Sequence, residues 1–436
     1  MIVNFSVQNF GSIKDKQILS FEATTARDLE SFYIIEPIKG LRLLKLALIY
    51  GANASGKTTV LKALEFLRDL VLEPVEKKNE SLKFEPFLFD SFTPTKNSIL
   101  SIDFIQKNIR YFYEVEFNRL AIVNEELYFY NPNKAKIFSR ATNLENQFTE
   151  ITFGSKIKKD KTFGKTLEAN TIWNNTVLGG FLKTNINFKE LKEVSEWFAT
   201  HLKPLIESDT KLEGYVTSAI GNTDIDKNSV IQILKKADFN ISDILINEEE
   251  EDIPLGFLEF LEKQVKTHNE KFTEIKSKGK VTTVSIELEH TVDRIKYKIP
   301  FELESQGTKR YYSFSGLLSM LIKNSITFPI DELESSLHPD LFTHFILSFL
   351  VNAKQSQILA TTHNREILNN RDIFRNDAIW FTDKNELSAT ELYSLADFDS
   401  KVIRDTSNVY NAYKIGKLGG VPNLGDYYID LSDEKK

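Results

Sequence analysis

The sequence is organised around residues 51–58, which read Gly-Ala-Asn-Ala-Ser-Gly-Lys-Thr and are followed by Thr59. This stretch fits the phosphate-binding loop pattern G-x-x-x-x-G-K-[ST] at every fixed position. Residues 44–50 (LKLALIY) are mostly apolar and predict a buried strand, whereas residues 59–72 have apolar positions at helical spacing. A chance glycine turn before a helix is the alternative, and the strand–loop–helix order argues against it.

The residue types in this loop suit a bound phosphate. Glycines let the backbone wrap an anion so that its amide groups point inward, and the helix N-terminus adds a positive dipole end. A lysine here can reach the β- and γ-phosphates, and the following hydroxyl can ligate Mg²⁺. The expected nucleotide-binding residues are Gly51, Asn53, Ala54, Ser55, Gly56, Lys57, Thr58 and Thr59.

Composition narrows the class of protein. The 436 residues contain no cysteine, which excludes disulfides, zinc–thiolate sites and thiol catalysis, and the histidines form no metal-binding motif. No run of about 18 apolar residues predicts a membrane span, and the N-terminus resembles a strand rather than a signal peptide. We therefore expect a cytoplasmic protein with no membrane partner.

Charge gives little support for a dedicated nucleic-acid coat, because the net charge is −7. A local basic groove stays open, and five lysines between positions 156 and 165 could contribute to one. The plainer interpretation of these lysines is a solvated loop. The acidic run at 248–252 is likewise interpreted as a solvated loop or linker.

The chain order predicts a head divided by an insertion. Residues 1–7 and 18–23 predict a hairpin, and residues 99–130 predict an antiparallel meander whose aromatics are interpreted as sheet core rather than a base-stacking surface. From about 166 to 271 the pattern becomes helical, and strands resume at 282–303. The predicted divisions are residues 1–165, a helical insertion at 166–275, and residues 276–436.

A second part of the site is predicted after the short apolar strand 326–330 (ITFPI), which ends in Asp331-Glu332. An acidic pair at the carboxyl end of a buried strand is the Walker B arrangement, in which the Asp holds Mg²⁺ and the Glu acts on the attacking water. Pro329 cannot donate to a sheet, so we expect a bulge or irregularity there.

Two further stretches match this site. The strand 358–362 ends at His363, which could be a structural histidine or could hydrogen-bond the γ-phosphate and report its presence. Ser305-Gln306-Gly307 precedes an amphipathic helix and could form a second anion-binding cap, although Ser305 could equally be a plain N-cap. A second cap requires a second nucleotide surface, which indicates a partner copy of the chain.

These features, in this order, resemble the ABC-type ATPase head, and the split layout is similar to the SMC and DNA-repair branch. More narrowly, the sequence resembles stand-alone bacterial AAA-type ATP-binding proteins of phage-defence operons. The matching pieces are NFGSIKD, GANASGKTT, FEPFLFD, ESQGTKR, IDELESSLHP, TTHN, WFTDKN and YKIGKLGGVPNL. The resemblance implies an α/β P-loop NTPase fold, an ABC-type head with a mixed sheet, an antiparallel β subdomain and a helical insertion.

The resemblance also implies roles for individual residues, with ATP and Mg²⁺ as the cofactors. Lys57 and Thr58 would hold phosphate and Mg²⁺, Asp331 the metal, and Glu332 the attacking water. Ser305 and Gly307 would close on ATP held by a facing copy, His363 would be the switch, and residues 334–339 (ESSLHP) would be the D-loop. Gln106 is a candidate for the Q-loop or a hairpin residue, and residues 9–14 could approach the adenosine.

The function implied is an ATPase that dimerises around ATP and acts as a switch in antiviral defence, with a separately encoded effector such as a nuclease. The alternative is a DNA-repair or chromosome-maintenance ATPase that binds DNA directly. A transporter subunit is disfavoured by the large insertion and by the ESQGT signature, which departs from LSGGQ.

Overall fold

The computed structural model describes residues 1–157, 161–252, 280–398 and 408–422. It is a mixed α/β fold with two compact units. The first unit comprises residues 1–209, 321–335 and 346–436, and the second comprises residues 210–320 and 336–345. These units divide the chain at positions other than 165/166 and 275/276, and the sequence-based division stays a prediction.

The first unit begins with the predicted hairpin and the strand–loop–helix element. Its elements are β1 (Ile2–Gln8), β2 (Gln17–Ser20), α1 (Glu30–Tyr33), β3 (Ile34–Ile38), β4 (Leu41–Leu44), β5 (Leu46–Gly51) and α2 (Lys57–Leu72). All six residues of β5 are buried. Burial on both faces is the reason that this strand reads as a continuous apolar run.

The antiparallel meander continues as β6 (Ser98–Gln106), β7 (Ile109–Phe117), β8 (Ile122–Tyr130), β9 (Lys134–Asn143) and β10 (Phe148–Phe153). With the hairpin it forms a seven-stranded sheet in the order β10-β9-β8-β7-β6-β1-β2. The asparagine between the first two strands predicts a turn at position 108, and the structure confirms it, because Lys107 and Asn108 have φ of 48° and 61°. The last two strands of the meander were not predicted.

Three helices follow, α3 (Lys161–Asn170), α4 (Val177–Leu182) and α5 (Lys189–Glu196), and then a π-helical turn at Trp197–His201. Helical spacing predicts one face formed by Leu191, Val194, Trp197, Phe198, His201 and Leu202. All of these except the half-buried His201 are buried. These helices belong to the first unit.

The second unit contains α6 (Glu213–Gly221), α7 (Lys227–Lys236), β11 (Ile241–Asp252), β12 (Lys280–Val292) and β13 (Ile295–Pro300), and α8 (Gln306–Lys323) begins in it. The prediction of a loop at 248–252 is wrong, because β11 continues through this run paired with β12. The sequence pattern also predicts a helix at 255–265, and this stretch lies outside the described residues.

The remaining elements are β14 (Thr327–Ile330), α9 (Pro339–Asn352), β15 (Gln357–Thr361), β16 (Ile379–Lys384), β17 (Thr390–Ser394) and α10 (Val409–Lys414). The second sheet of the first unit has the order β14-β15-β5-β16-β17. Its first four strands are parallel and β17 is antiparallel. Within the described ranges, no helix is long and apolar enough to span a bilayer.

The irregularity expected at Pro329 is absent, because β14 pairs with β15 in an unbroken register through Pro329 and Leu359. On the other side of this edge strand, the Pro329 carbonyl accepts from Ile206 N at 3.0 Å. The carbonyl and nitrogen of one residue face the same side of a strand, so the missing N–H faces the edge rather than the ladder with β15.

Candidate nucleotide site

The site is built at the carboxyl ends of three adjacent parallel strands. β5 ends at Gly51, β14 ends one residue before Asp331, and β15 ends two residues before His363. Because parallel strands end at the same edge, segments far apart in sequence meet there, which is where open α/β sheets bind ligands.

The loop between β5 and α2 has the conformation that its glycines allow. Ala54 and Gly56 have φ of 62° and 106°. A Cβ on Gly56 would lie 2.7 Å from Thr390 Cγ2 and 2.8 Å from Ser12 Oγ, so a side chain does not fit. Asn53 and Ala54 are exposed at the tip of the loop. Thr390 and Ser12 therefore hold one side of the loop, whereas its tip at Asn53 and Ala54 is exposed to solvent.

Lys57, the first residue of α2, is 6% exposed. Its Nζ donates to the carbonyl oxygens of Gly51 at 3.0 Å and Ala52 at 3.1 Å. Burial lowers the pKa of Lys57, and the carboxylates of Asp331, Glu332 and Glu334 oppose that shift. The ammonium is thus held within the loop, next to the acidic residues that follow β14.

Thr58 and Asp331 are in direct contact. The Thr58 hydroxyl donates to the Asp331 carboxylate at 2.9 and 3.1 Å, although 273 positions separate the two residues. Thr361 Oγ1, at the end of β15, also donates to this carboxylate. A hydroxyl beside a carboxylate fits Mg²⁺, which proteins bind through one or two carboxylates together with substrate phosphates. Among the described residues, no larger cluster of His, Cys, Asp or Glu forms a metal site.

Glu332 lies beside these groups in an unusual conformation. Its φ is 48°, in the left-handed region that favours glycine, and its N–H donates to Thr361 Oγ1 at 2.8 Å. Such a conformation in a non-glycine residue costs on the order of 1–3 kcal/mol and concentrates at functional sites. The same threonine therefore fixes both the Asp331 carboxylate and the Glu332 backbone.

His363 is exposed, and its backbone N–H donates to the carboxylate of Glu334. Loss of solvent around the ring lowers the pKa of His363, as does the charge of Lys57, while Glu334 and Glu332 raise it. The ring is consequently neutral at pH 7. Glu334 had been assigned only to the D-loop stretch, and the structure adds the contact with the histidine backbone.

Three hydroxyl residues that support the loop were missed from the sequence. Ser12 Oγ lies 2.8 Å from Thr390 Oγ1, and Thr390 Oγ1 donates to the Ser55 carbonyl at 2.8 Å. Thr382 Oγ1 lies 2.6 Å from Ser55 Oγ. The NFGSIKD and WFTDKN stretches of the resemblance contain two of the three, which was the only available signal.

Residues 416–421 (GKLGGV) also lie against the phosphate-binding loop. A Cβ on Gly420 would lie 3.5 Å from Gly51 Cα, and the Gly420 N–H donates to Asp383 at 2.9 Å. Tyr413 donates to the Gly420 carbonyl at 2.9 Å. The chain segment after α10 thus packs against the start of the phosphate-binding loop, a contact that the sequence did not predict.

The signature residues lie in the second unit. Ser305 is exposed and directly precedes α8, where its Oγ accepts from Thr308 N at 3.0 Å, so it is an N-cap. A Cβ on Gly307 would meet only ordinary contacts, 3.5 Å from Ser336 O and 3.8 Å from Ser305 Oγ. Packing within the described residues therefore does not explain the glycine at 307.

The weaker assignments have structural roles. Gln106 is buried at the end of β6, opposite Ile109, as a hairpin residue. The amide of Asn9 donates to the carbonyls of Thr93 and Lys96 at 3.0 Å and accepts from Phe87 N. No contact here identifies a Q-loop, and the approach of residues 9–14 to an adenosine stays a prediction.

Solved structures with similarity to this chain are SMC head domains. One is an SMC head bound to the C-winged helix domain of ScpA, with 12% identity over 90% of this chain and 97% of that chain and a TM-score of 0.47. The SMC head domain from Thermotoga maritima has 12% identity over 90% of this chain and 98% of that chain, with a TM-score of 0.40. A third structure is an SMC head domain with an extended coiled coil, bound to the C-terminal domain of ScpA derived from Pyrococcus furiosus. It has 12% identity over 96% of this chain and 98% of that chain, with a TM-score of 0.39.

No curated protein matches the sequence. A family model does match, over residues 46–168 and 183–369, which is more than half of the chain and includes both Thr58 and Asp331. The model is described as an AAA domain, putative AbiEii toxin, of a type IV toxin–antitoxin system, and this chain belongs to that AAA-domain family.

Proposed function

We propose that the protein binds ATP with Mg²⁺ and hydrolyses the γ-phosphate bond. The observation that carries the proposal is the contact between the Thr58 hydroxyl and the Asp331 carboxylate at 2.9 Å, formed at the end of the loop that holds Lys57. Membership of the AAA-domain family supports the same assignment. The phosphate-binding loop, the Asp331-Glu332 pair and His363 lie at one edge of the sheet, which supports a role in phosphoryl transfer to water.

Each residue has a separate task in this proposal. Thr58 and Asp331 hold Mg²⁺, which would neutralise charge on the phosphates. Lys57 exchanges its bonds with the Gly51 and Ala52 carbonyls for bonds with phosphate oxygens. Glu332 accepts a proton from the attacking water, and His363 donates a hydrogen bond to the γ-phosphate.

The proposal includes a second copy of the chain. Gly307 is the second residue of α8, and glycine is a poorer helix former than alanine. Gly307 belongs to the stretch that resembles the ABC signature, beside the Ser305 cap, and the space over it is open in the described part of the chain. From these two features together we infer that a group from outside the chain approaches it closely. A nucleotide on a facing copy is such a group, and the N-terminus of an 18-residue helix suits its phosphates.

We further propose that this switch acts in antiviral defence and controls a separately encoded effector such as a nuclease. The family description, which names a putative toxin of a toxin–antitoxin system, supports a defence role. ATP-driven closure of two copies would change the surface presented to the effector, and hydrolysis would reset it.

Glu332→Gln tests the enzymatic part. The variant keeps the shape of the side chain and loses the proton acceptor, so ATP turnover should fall at least 100-fold (about 3 kcal/mol) while ATP binding remains. Size-exclusion chromatography with ATP should show an accumulated dimer. Glu145→Gln, on an exposed loop, is the control and should turn over ATP like the parent. Parental turnover by Glu332→Gln would contradict the assigned base.

A further inference from the structure

The seven-stranded sheet of the first unit has one buried face and one face that solvent reaches. The two alternate along β7, where Tyr111 and Tyr113 are buried and Phe112 is only half-buried. An antiparallel sheet with a solvated face ordinarily carries polar residues on it. Three rings lie on the accessible face here, because Tyr128 and Tyr130 of β8 join Phe112. The interpretation of the meander aromatics as sheet core does not extend to these three.

The register of the strands sorts the charges of this face by their position along the sheet. At one end Arg110 pairs with Tyr130, which pairs with Lys134, and at the other end Glu116 pairs with Asn124. Six residues of β7 separate the two ends, about 20 Å at 3.4 Å per residue. The basic end contains Arg110, Lys134 and Lys136, and the acidic end contains Glu114, Glu116, Glu126 and Glu150. The face is therefore dipolar along the strand direction.

The acidic end is short of cations. Glu126 is paired with Lys136 at 3.1 Å, and in the described part of the chain the other three carboxylates form no ion pair. Loss of solvent raises the pKa of Glu114, Lys16 lowers it, and the charges of Glu126 and Glu116 raise it further. A depression of about 470 Å³ lies among these carboxylates. This end thus offers space and negative charge to a cation from outside.

The basic end has the opposite properties. Lys134 is exposed and has no ion-pair partner within the described ranges, whereas Arg110 is paired with Asp103. The Nζ atom of Lys134 lies 4.7 Å from the centroid of the Phe112 ring and 4.2 Å from that of Tyr128. Aromatic residues are enriched at protein interfaces relative to other surfaces. This end thus offers ring surface and positive charge side by side.

We propose that two copies of this chain associate through the accessible face of the seven-stranded sheet. A two-fold axis that runs between the sheets and across the strands reverses the strand direction of one copy, so each basic end faces the acidic end of the other. Stacked sheets lie about 10 Å apart, a distance that opposed lysine and glutamate side chains span. The lysines of β9 in one copy would then enter the acidic depression of the second copy.

The area of the face agrees with a weak dimer. Seven strands about 4.8 Å apart and about 20 Å long cover about 700 Å² per copy, slightly less than the 800 Å² or so of a standard interface. A nucleic acid is a poorer occupant, because carboxylates outnumber cations on β7 to β10 and would repel phosphates. The contact involves no nucleotide, so it stands or fails separately from the ATP-dependent pairing proposed above.

Sedimentation velocity on nucleotide-free protein tests the inference. The parent should form a dimer at about 100 µM protein and about 0.05 M salt, and its dissociation constant should rise at least tenfold at about 0.5 M salt. Lys134→Glu combined with Lys136→Glu makes both ends acidic, and Glu116→Lys combined with Glu150→Lys makes both ends basic. Each double variant should raise the dissociation constant at least tenfold, because like charges then face each other.

A mixture of the two double variants gives the sharper measurement. Each supplies the charge that the other lacks, so equal amounts should form a mixed dimer with about the parental dissociation constant. The mixed dimer would also show that both variants fold. Lys39→Glu combined with Lys354→Glu is the matched control, since it makes the same change of charge at exposed lysines elsewhere in the first unit and should dimerise like the parent.

Five results would each overturn the inference. They are a monomeric parent at low salt, association that requires ATP, equal weakening in the control, no dimer in the mixture, and binding of labelled oligothymidylate that is lost in the Lys134→Glu, Lys136→Glu variant. The last result would assign the rings and lysines to single-stranded nucleic acid instead.

Discussion

Two helices of this protein, α2 and α8, have a glycine at their N-terminus, and the two glycines differ in the atoms that surround them. At the start of α2, Gly56 is surrounded by its own chain, with Thr390 and Ser12 closer than any Cβ allows. At the start of α8, Gly307 has only ordinary contacts. The first glycine is explained by folding and the second is not. Packing within the chain accounts for the first glycine, and the proposed role of Gly307 in a site shared with a second copy is what the following predictions test.

Gly56→Ala should produce the largest effect. The added Cβ would collide with Thr390 and Ser12, and the φ of 106° is strained for alanine. Distortion of the loop should lower ATP affinity at least 100-fold, on the order of 3 kcal/mol, with a lower melting temperature. Isothermal titration with a nonhydrolysable ATP analogue and a thermal melt measure both. If Gly56→Ala bound ATP with parental affinity, the close packing around Gly56 would not shape the site, and the contrast with Gly307 would fail.

Gly307→Ala should show the opposite pattern. Alanine is the better helix former, so stability should stay constant or rise by about 1 kcal/mol, and a single chain should still bind ATP. Under the proposed composite site, turnover should fall at least tenfold, because the added Cβ would take the space of the partner copy's nucleotide. Loss of turnover without loss of stability would separate this glycine from Gly56.

Gly214→Ala is the matched control for that experiment. Gly214 also occupies the second position of its helix, α6, and a Cβ there would meet nothing within 4 Å. It should gain the same stability and keep parental turnover. Should both alanine variants hydrolyse ATP normally, Gly307 would have no part in a composite site.

Thr390→Val is a smaller change, and it tests the hydrogen bonds that Thr390 makes beside Gly56. The valine keeps the shape and removes the hydroxyl that bonds to the Ser55 carbonyl and to Ser12. Leaving these groups unpaired should cost about 1.4 kcal/mol, equivalent to tenfold in ATP affinity. A lower melting temperature at unchanged affinity would instead assign Thr390 to general stability.

What the sequence predicted depends on the range of the interactions. The phosphate-binding loop is a local pattern, and Asp331 and His363 follow from the rule that parallel strands end at one edge. The contact between Ser12 and Thr390 escaped prediction because 378 positions separate them. Ser12 lies in the quoted NFGSIKD stretch, but no local pattern connects it with Thr390, which lies outside all the quoted stretches.

The errors have a similar cause. The acidic run at 248–252 has low strand propensity, yet it pairs residue by residue with β12, so tertiary pairing overrides local preference. Pro329 likewise predicts an irregularity, because proline disrupts a central strand. β14, however, lies at the edge of its sheet, where a missing N–H is tolerated. In both cases the deciding neighbour is distant in sequence.

His363 gives the smallest expected effect and tests whether the first site senses the γ-phosphate within one chain. Loss of solvent and the charge of Lys57 lower the pKa of His363 below the ordinary 6.5, so the ring is neutral at pH 7 and gains a proton only as the pH falls through that lowered pKa. Turnover should therefore be flat from pH 7 to 8 and change only on the acid side. His363→Gln should reduce turnover about three- to tenfold and lose the acid-side inflection, whereas His338→Gln, at a ring 69% exposed, should retain it. An inflection that persists in His363→Gln would assign the titration to another group and would contradict the sensing role of His363.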